Sequence, residues 1–197
     1  MPSLPWSKAK GRPKDRAQQV AKGQLKKWEY ASKIKKMKKR RVIGLDPGLA
    51  HTGFGIVDFF CGKMQLVSYG VIETSANDSH EVRLLALYER LEAVLKEFKP
   101  DEGEMETLYF AKNISSAMAV SEAKGVATLA LAKRGIPISY YTPNQIKSCV
   151  TGTQSSDKKT VQMYVKLLLN LKEVPSPDHA ADALAGAITH LHASGSL

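Results

Sequence analysis

The sequence predicts an α/β fold in which a mixed β-sheet is flanked by helices. Three strand-like segments follow one another at residues 41–46, 53–60 and 64–73. Helix-like and strand-like segments then alternate from residue 80 to about residue 192. The chain of 197 residues is long enough to bury one core and to carry an extension in addition.

The first two strands are predicted from two apolar runs that flank a Pro-Gly turn. The segment Val42–Asp46 precedes this turn, and the second run begins at Gly53. This arrangement predicts a hairpin that holds Asp46 at the end of a buried strand. The third strand is predicted to follow a turn around Gly62.

Helical spacing and helix-ending residues predict the other elements. Residues 80–98 are predicted to form a helix with an apolar stripe of Val82, Leu85, Leu87, Leu91, Val94, Leu95 and Phe98. Pro100 ends this helix, and Gly135 ends the next one. The remaining predictions are a strand near 104–110, a helix over about 115–134, a strand at 136–141, a helix from Pro143 through Val150, a polar loop at 151–157, a helix to about 171 and a last helix over about 178–192.

Positive charge is concentrated in an N-terminal arm, residues 1–40, ahead of a folded domain predicted over residues 41–197. The net charge of residues 1–41 is +13, whereas that of residues 42–197 is −3. The arm is predicted to be largely disordered, with a basic helix in its second half that forms when docked. Such an arm is typical of proteins that contact phosphates, and a solvated tail without a specific partner is the alternative.

The composition argues against a membrane or secreted protein. No apolar stretch approaches the roughly 20 residues needed to cross a membrane, and the N-terminus lacks the apolar core of a secretory signal. Cys61 and Cys149 lie far apart without metal-ligand spacing. They predict reduced thiols and a cytoplasmic location.

Acidic residues occur where a packed domain does not favour them. Asp46 ends the first strand, Glu106 lies within a predicted strand, and Asp178 and Asp182 lie in a helix of small and apolar residues. On that helix His179 and Asp182 are three residues apart, so that they share a face, as Asp178 and Asp182 do. Oxygen ligands with at most one imidazole suit Mg²⁺ or Mn²⁺. Two such ions about 3.5–4 Å apart would activate water and stabilise the leaving oxygen of a phosphodiester.

Each of these residues also has an ordinary structural interpretation. Asp46 would be a turn-forming residue before Pro-Gly, and Asp178 would be a helix N-cap. Glu104 and Glu106 would face solvent on an edge strand, and His179 would be an ordinary histidine. Each alternative stays open by itself, whereas the set as a whole favours a metal site.

Several motifs follow one another in order along the folded domain. They are Ile43-Gly44-Leu45-Asp46-Pro47-Gly48-Leu49, Thr52-Gly53-Phe54-Gly55, Glu106-Thr107-Leu108-Tyr109-Phe110-Ala111-Lys112-Asn113, Glu122-Ala123-Lys124-Gly125, Tyr141-Thr142-Pro143-Asn144-Gln145-Ile146-Lys147, Asp157-Lys158-Lys159 and Pro177-Asp178-His179-Ala180-Ala181-Asp182-Ala183-Leu184-Ala185. This series resembles the bacterial RuvC Holliday-junction resolvases. The resemblance covers about residues 42–193, so that the basic arm lies outside it.

The resemblance implies a ribonuclease-H-like fold and a homodimeric endonuclease. Enzymes of this family resolve four-way DNA (Holliday) junctions by paired symmetric nicks, with two Mg²⁺ ions, or Mn²⁺, in each active site. Carried over by motif, the catalytic and metal-binding residues are Asp46, Glu106, His179 and Asp182, and the position of His179 holds Asp in other members. A branch-migration motor complex as partner and a place at the bacterial nucleoid are also implied.

The same motifs imply contacts with DNA. Tyr109 matches an aromatic position that stacks on bases near the crossover, where stacking contributes about 1–3 kcal/mol, and a core tyrosine is the alternative. Lys147 and Lys158 match catalytic cations near the scissile phosphate, where they would stabilise negative charge in the transition state. Lys112 and Asn113 are weaker candidates for contact with the DNA backbone.

Three departures from the family pattern bear on the site. Glu104 lies in a segment that is usually apolar in the family, and it is expected to point away from Glu106 because it alternates with Met105. Gln154 stands where the family commonly has glycine. The folded domain is slightly acidic instead of basic, so that the arm is expected to supply phosphate contacts.

Three other classes of function remain to be distinguished. A phosphate-binding protein of the actin and sugar-kinase class also opens with a strand, an aspartate and a glycine-rich turn, but it normally needs a second domain. A non-catalytic nucleic-acid-binding module would explain the arm but not the converging acids. Another ribonuclease-H-like nuclease with a different substrate is the nearest alternative.

Overall fold

A computed structural model describes residues 38–107 and 114–195 of the chain. Most of the basic arm therefore lies outside the described residues, as do Tyr109, Lys112 and Asn113. The first strand begins at Arg40, the last residue of the predicted arm. No helix among the described residues is long and apolar enough to span a membrane.

Within residues 38–107 and 114–195, five strands form one mixed sheet, which confirms the predicted fold class. They are β1 (Arg40–Asp46), β2 (His51–Phe60), β3 (Lys63–Glu73), β4 (Glu102–Glu106) and β5 (Ile138–Tyr141). Their order in the sheet is β3-β2-β1-β4-β5. The first three strands pair antiparallel, whereas β4 pairs parallel with β1 and β5 pairs parallel with β4.

Helices cover both faces of this sheet. They are α1 (His80–Phe98), α2 (Ile114–Lys133), α3 (Pro143–Thr151), α4 (Lys158–Leu168) and α5 (Asp178–Ala193). One apolar cluster joins α1 and α2 to the face that carries Ile43, Leu45 and Met105. A second cluster joins α3, α4 and α5 to the face that carries Val42 and Val57. The molecule is therefore a sheet between two helical layers.

Local sequence explains where the helices on the second face begin. In α3 the Thr142 side chain accepts a hydrogen bond from the Gln145 backbone N–H, the Gln145 side chain bonds back to the Thr142 N–H, and Pro143 occupies the first turn. In α4 the Asp157 carboxylate accepts a hydrogen bond of 2.7 Å from the Thr160 backbone N–H. These caps set the orientation of the helices that carry Lys147 and Lys158.

Three predicted features differ from the structure. The strand predicted near 104–110 begins at Glu102, because Val42–Leu45 on one side and β5 on the other side pair with it. The helix predicted to end near 171 ends at Leu168, and Asn170 adopts a left-handed backbone with φ of 51°. In the predicted stripe of α1, Val82 and Leu85 are exposed, because only the second half of that stripe faces the core.

Candidate active site

Glycines on β1 and β2 let α5 pack directly against the sheet backbone. A Cβ atom on Gly44 would lie 2.0 Å from the carbonyl oxygen of Ala183, and a Cβ on Gly53 would lie 2.0 Å from that of His179. No side chain fits at either position, so both must be glycine. Because the helix lies so close, its first turns reach the end of the sheet where β1 ends.

The imidazole of His179 contacts the carboxylate of Asp46 at this end of the sheet. Nδ1 of His179 lies 2.7 Å from Oδ2 of Asp46, and both side chains are partly exposed. The ring of His51 stacks on His179 with the centroids 5.8 Å apart and the planes 7° from parallel. His51, the first residue of β2, was not predicted from the sequence, because its partner lies more than a hundred positions away.

Glu106 and Asp46 end two neighbouring parallel strands. Pairing between β1 and β4 runs up to Leu45 and Met105, so that Asp46 and Glu106 are the next residues on strands about 4.8 Å apart. Burial raises the pKa of Glu106 to about 7, and the carboxylates of Asp46 and Asp182 add to this shift. A buried carboxyl group with a raised pKa beside two other carboxylates is a candidate functional-site residue.

Asp182 shares a cavity with Glu106 and two lysines. The cavity has a volume of about 260 Å³, and its lining includes Glu106, Lys147, Lys158 and Asp182. Nζ of Lys158 lies 2.9 Å from Oδ2 of Asp182 and 3.3 Å from Oδ2 of Asp178. Burial raises the pKa of Asp182, whereas the contact with Lys158 opposes that shift.

These side chains are chemically suited to divalent cations. Three carboxylates and one imidazole are donors that Mg²⁺ and Mn²⁺ accept. Within the described ranges, no three His, Cys, Asp or Glu side chains already lie close enough to hold one ion. Asp46 and Asp182 are instead paired with His179 and Lys158.

The structure places six of the predicted site residues in two neighbouring groups at this end of the sheet. Asp46 contacts His179, and Glu106, Lys147, Lys158 and Asp182 line one cavity. The interpretation of Asp178 as an N-cap is wrong, because Pro177 occupies that position without a side-chain cap.

The carboxylate of Asp178 lies at the rim of the site, where it accepts a hydrogen bond of 2.9 Å from Nε2 of Gln162. Tyr109, Lys112 and Asn113 lie outside the described residues, so that their roles stay predictions.

The prediction that Glu104 points away from Glu106 is wrong. Side chains two residues apart on a strand share a face, so that both lie on the face covered by α5. Glu104 is 1% exposed, and its carboxyl group lies against Gly186 of α5. The alternative that both glutamates face solvent on an edge strand also fails, because β4 lies between β1 and β5. Alternation counted from Glu106 would have identified Glu104 correctly.

Comparison with known proteins identifies close relatives of this chain. Residues 42–190 match the family model described as "Crossover junction endodeoxyribonuclease RuvC". The RuvC protein of Treponema denticola is 48% identical over 162 residues, which cover 82% of this chain and 91% of the relative. That of Brevibacillus brevis is 45% identical over 150 residues, which cover 76% of this chain and 90% of the relative.

Comparison with solved structures gives the same family. The structure of Thermus thermophilus RuvC in complex with a Holliday junction substrate aligns with a TM-score of 0.75 at 33% identity. The alignment covers 79% of this chain and 94% of the other. Sequence and fold similarity therefore extend over nearly the whole of the described domain.

Proposed function

This chain belongs to the RuvC family of crossover junction endodeoxyribonucleases, and on that premise we propose that it resolves four-way DNA junctions by metal-dependent hydrolysis. Its fold is ribonuclease-H-like, as the resemblance of its motifs implied. The chain is accordingly a hydrolase that acts on phosphodiester bonds.

The observation that carries this proposal is the meeting of carboxylates from three separate elements at one end of the sheet. Asp46 ends β1, Glu106 ends β4, and Asp182 lies in the second turn of α5. Burial raises the pKa of Glu106, and the neighbouring carboxylates of Asp46 and Asp182 raise it further. A module that only binds nucleic acid would not concentrate carboxylates where phosphates must approach, because they repel phosphate unless cations are present.

The side chains of the site divide the chemistry between them. Asp46, Glu106, His179 and Asp182 would hold two Mg²⁺ or Mn²⁺ ions. When bound, such ions activate the attacking water and stabilise the leaving oxygen. Lys147 and Lys158 face the same cavity, where their ammonium groups would stabilise negative charge that develops on the phosphate.

Partners and substrate contacts follow from the same family relation. Paired symmetric nicks need two active sites, so that a homodimer is the expected form of the enzyme. Tyr109 would stack on an opened base near the crossover, and Lys112 and Asn113 would contact the DNA backbone beside it. The arm over residues 1–40 would bind flanking phosphates, and cooperation with a branch-migration motor complex would place the enzyme at the bacterial nucleoid.

A cleavage assay on defined DNA substrates tests the proposal. A synthetic four-way junction is incubated with the protein and Mg²⁺ or Mn²⁺, beside duplex and flap substrates of the same sequence. We expect paired nicks on the junction only. Asp46→Asn should bind the junction but not cut it, because it removes a charged ligand. Asp78→Asn, the same change at an exposed position ahead of α1, should cut as the parent does.

Three results would contradict the proposal. Equal cleavage of duplex or flap DNA would favour another ribonuclease-H-like nuclease. Binding without any cleavage in either metal would favour a non-catalytic module. Cleavage that persists in Asp46→Asn would remove this residue from the mechanism.

A further inference from the structure

Glu104 is a buried acid that the proposed chemistry does not use. It lies in the middle of β4 and is 1% exposed, so that it cannot touch a substrate. Its Oε1 atom has no hydrogen-bond partner within the described part of the chain. Burial and the charge of Glu106 raise the pKa of Glu104 well above its usual value. A carboxyl group in this environment lowers the stability of the fold, so that a residue of this type there is expected to have a compensating role.

The carboxyl group of Glu104 occupies the space where Gly186 has no side chain. A Cβ atom on Gly186 would lie 1.9 Å from Oε2 of Glu104, 2.6 Å from its Cδ and 3.1 Å from its Oε1. Gly186 lies within α5 and does not adopt a positive φ. Its backbone conformation therefore does not require glycine, and glycine within a helix is unfavourable. The Glu104 carboxyl fills the space that a side chain at Gly186 would need, and because it is buried it has little room to move aside.

On both β4 and α5, this contact lies only a few residues from the carboxylates that are proposed to bind metal. Glu104 precedes Glu106 by two residues on the same face of β4, about 7 Å away along the strand. Gly186 follows Asp182 by four residues, about one turn of α5. Farther from the site, Glu102 lies two residues before Glu104 and His190 lies four residues after Gly186, and these two side chains are 2.8 Å apart. The two elements therefore touch at Glu104 and Gly186, next to the cavity that Glu106 and Asp182 line.

We propose that Glu104 and Gly186 form a matched positioning pair, in which the Glu104 carboxyl sets the distance between β4 and α5. That distance determines where Asp182 lies relative to Glu106, and therefore how the two carboxylates share cations. The role in catalysis rests on the proposed function, whereas the fit between the two residues does not. Glu104 acts through Glu106 and Asp182, so that it is a positioning residue.

A pair of single variants and their combination test the fit. Gly186→Ala should push α5 away from β4 and reduce the rate of nicking about 100-fold, the loss that a misplacement of about 1 Å can cause. Glu104→Ala should leave a gap and reduce the rate about 10-fold. The double variant Glu104→Ala/Gly186→Ala should recover to within about 3-fold of the parent, because the added methyl group fills the gap. Such recovery is the coupling that a double-mutant cycle measures.

Two further variants separate shape from other effects. Glu104→Gln keeps the shape of the side chain and should nick at close to the parental rate. Gly125→Ala makes the same change in α2 at a position where a Cβ atom meets nothing within 4 Å, and it should leave the rate unchanged.

Measurements of kcat, junction affinity, Mn²⁺ affinity and melting temperature distinguish a positioning role of the pair from a role in folding, and they test the pair independently of the proposed function. We expect the single variants to lose kcat while their affinity for the junction in Ca²⁺ stays within about 2-fold, and to bind Mn²⁺ more weakly by calorimetry without DNA. The melting temperatures of the single and double variants measure directly how well Glu104 and Gly186 fit together. If the parent does not cut junctions, the proposed function fails, and the melting temperatures and Mn²⁺ affinities of the same variants still test the pair.

Four outcomes would overturn the pair. One is a double variant no better than Gly186→Ala in rate, melting temperature and Mn²⁺ affinity. The second is a Gly186→Ala variant equal to the parent. The third is a Glu104→Gln variant as impaired as Glu104→Ala, because then shape is not what matters. If Gly186→Ala does not fold, a double variant that also fails to fold counts against the pair in the same way.

Discussion

His179 of α5 is hydrogen-bonded to Asp46 of β1 across 133 positions of the sequence, with Nδ1 2.7 Å from Oδ2. The contact joins the first strand of the domain to its last helix at the end of the sheet. It requires the helix to lie on the bare backbone of Gly44 and Gly53, which have no room for side chains. The position of the candidate site is thus a consequence of how closely α5 packs.

His179 is expected to act as a metal ligand, so that the effect of replacing it should depend on whether the new side chain can also bind a metal ion. His179→Ala should weaken Mn²⁺ binding by about 10- to 100-fold and reduce nicking, because one donor is lost. His179→Asp should retain much of both, because a carboxylate is also a hard donor. Calorimetry with Mn²⁺ and the nicking assay measure the two effects. The assignment would fail if His179→Ala bound Mn²⁺ as tightly as the parent, and His80→Ala at an exposed position serves as the control.

Lys158 is expected to oppose metal binding and to promote catalysis. Its Nζ lies 2.9 Å from the Asp182 carboxylate, so that Lys158→Met removes a competing cation from a metal ligand. We expect Mn²⁺ to bind a few-fold more tightly to this variant, while the rate of nicking falls about 10- to 100-fold. Lys159→Met, at the neighbouring exposed position, is the matched control and should change neither. A parallel loss of metal affinity and rate in Lys158→Met would contradict the assignment.

The pKa of Glu106 predicts how stability and metal binding depend on pH. Because burial raises this pKa to about 7 in the folded protein, the stabilising effect of its proton is present below about pH 4.5 and is lost as the pH rises through 7. With chelator present, stability should therefore fall between pH 5 and pH 8, by about 1–2 kcal/mol from this group once its partial exposure is considered.

Comparison of the parent with Glu106→Gln isolates the contribution of the Glu106 proton to the pH dependence of stability. The melting temperature of the variant should fall less over the same pH range. Mn²⁺ should raise the melting temperature of the parent more at pH 8 than at pH 5.5, because the proton must leave before the ion binds. Calorimetry in buffers of different ionisation enthalpy would detect this proton, and binding without proton release at pH 6.5 would contradict the expected pKa.

The sequence predicted those parts of the fold that depend on local pattern. Apolar runs on either side of a Pro-Gly turn located β1 and β2, and Pro143 in the first helical turn located the start of α3. The ends of β4 depended on which strands flank it, which no local pattern reports. The acids of the site were predicted because their positions were unfavourable for packing. His51 and the space above Gly186 became visible only in three dimensions, because each depends on a residue distant in sequence.

Glu102, the first residue of β4, stabilises that end of the strand through contacts with Arg40 and His190. Its carboxylate accepts hydrogen bonds of 2.7 and 2.6 Å from Arg40, and Nε2 of His190 lies 2.8 Å from it. The Arg40 guanidinium, followed by His190, lowers the pKa of Glu102 to about 2. The stabilisation is thus present above about pH 4.5 and is lost as the pH falls towards 2.

Glu102→Gln should lower stability by about 2 kcal/mol at pH 7, because it removes a charged acceptor from two donors. Melting curves at several pH values should show the difference from the parent shrinking below about pH 4. Glu97→Gln on the exposed side of α1 is the control and should have little effect. A difference that stayed constant down to pH 3 would mean that the charge of Glu102 is not what stabilises the fold.

The basic arm is expected to supply phosphate contacts that the folded domain, which is close to neutral, lacks. Deletion should end at residue 37, because Lys39 pairs with Asp58 and Arg40 with Glu102 in the folded domain. Residues 1–37 contain eleven Lys and Arg residues. If about four of them contact phosphates, deletion should reduce the slope of log affinity against log salt by roughly 3 to 4. Junction affinity should fall most at low salt, and nicking at saturating protein should persist because the acids remain. A variant with all eleven changed to glutamine keeps the length of the arm and should behave like the deletion. Affinity that is the same at every salt concentration with and without the arm would show that the domain binds the junction unaided.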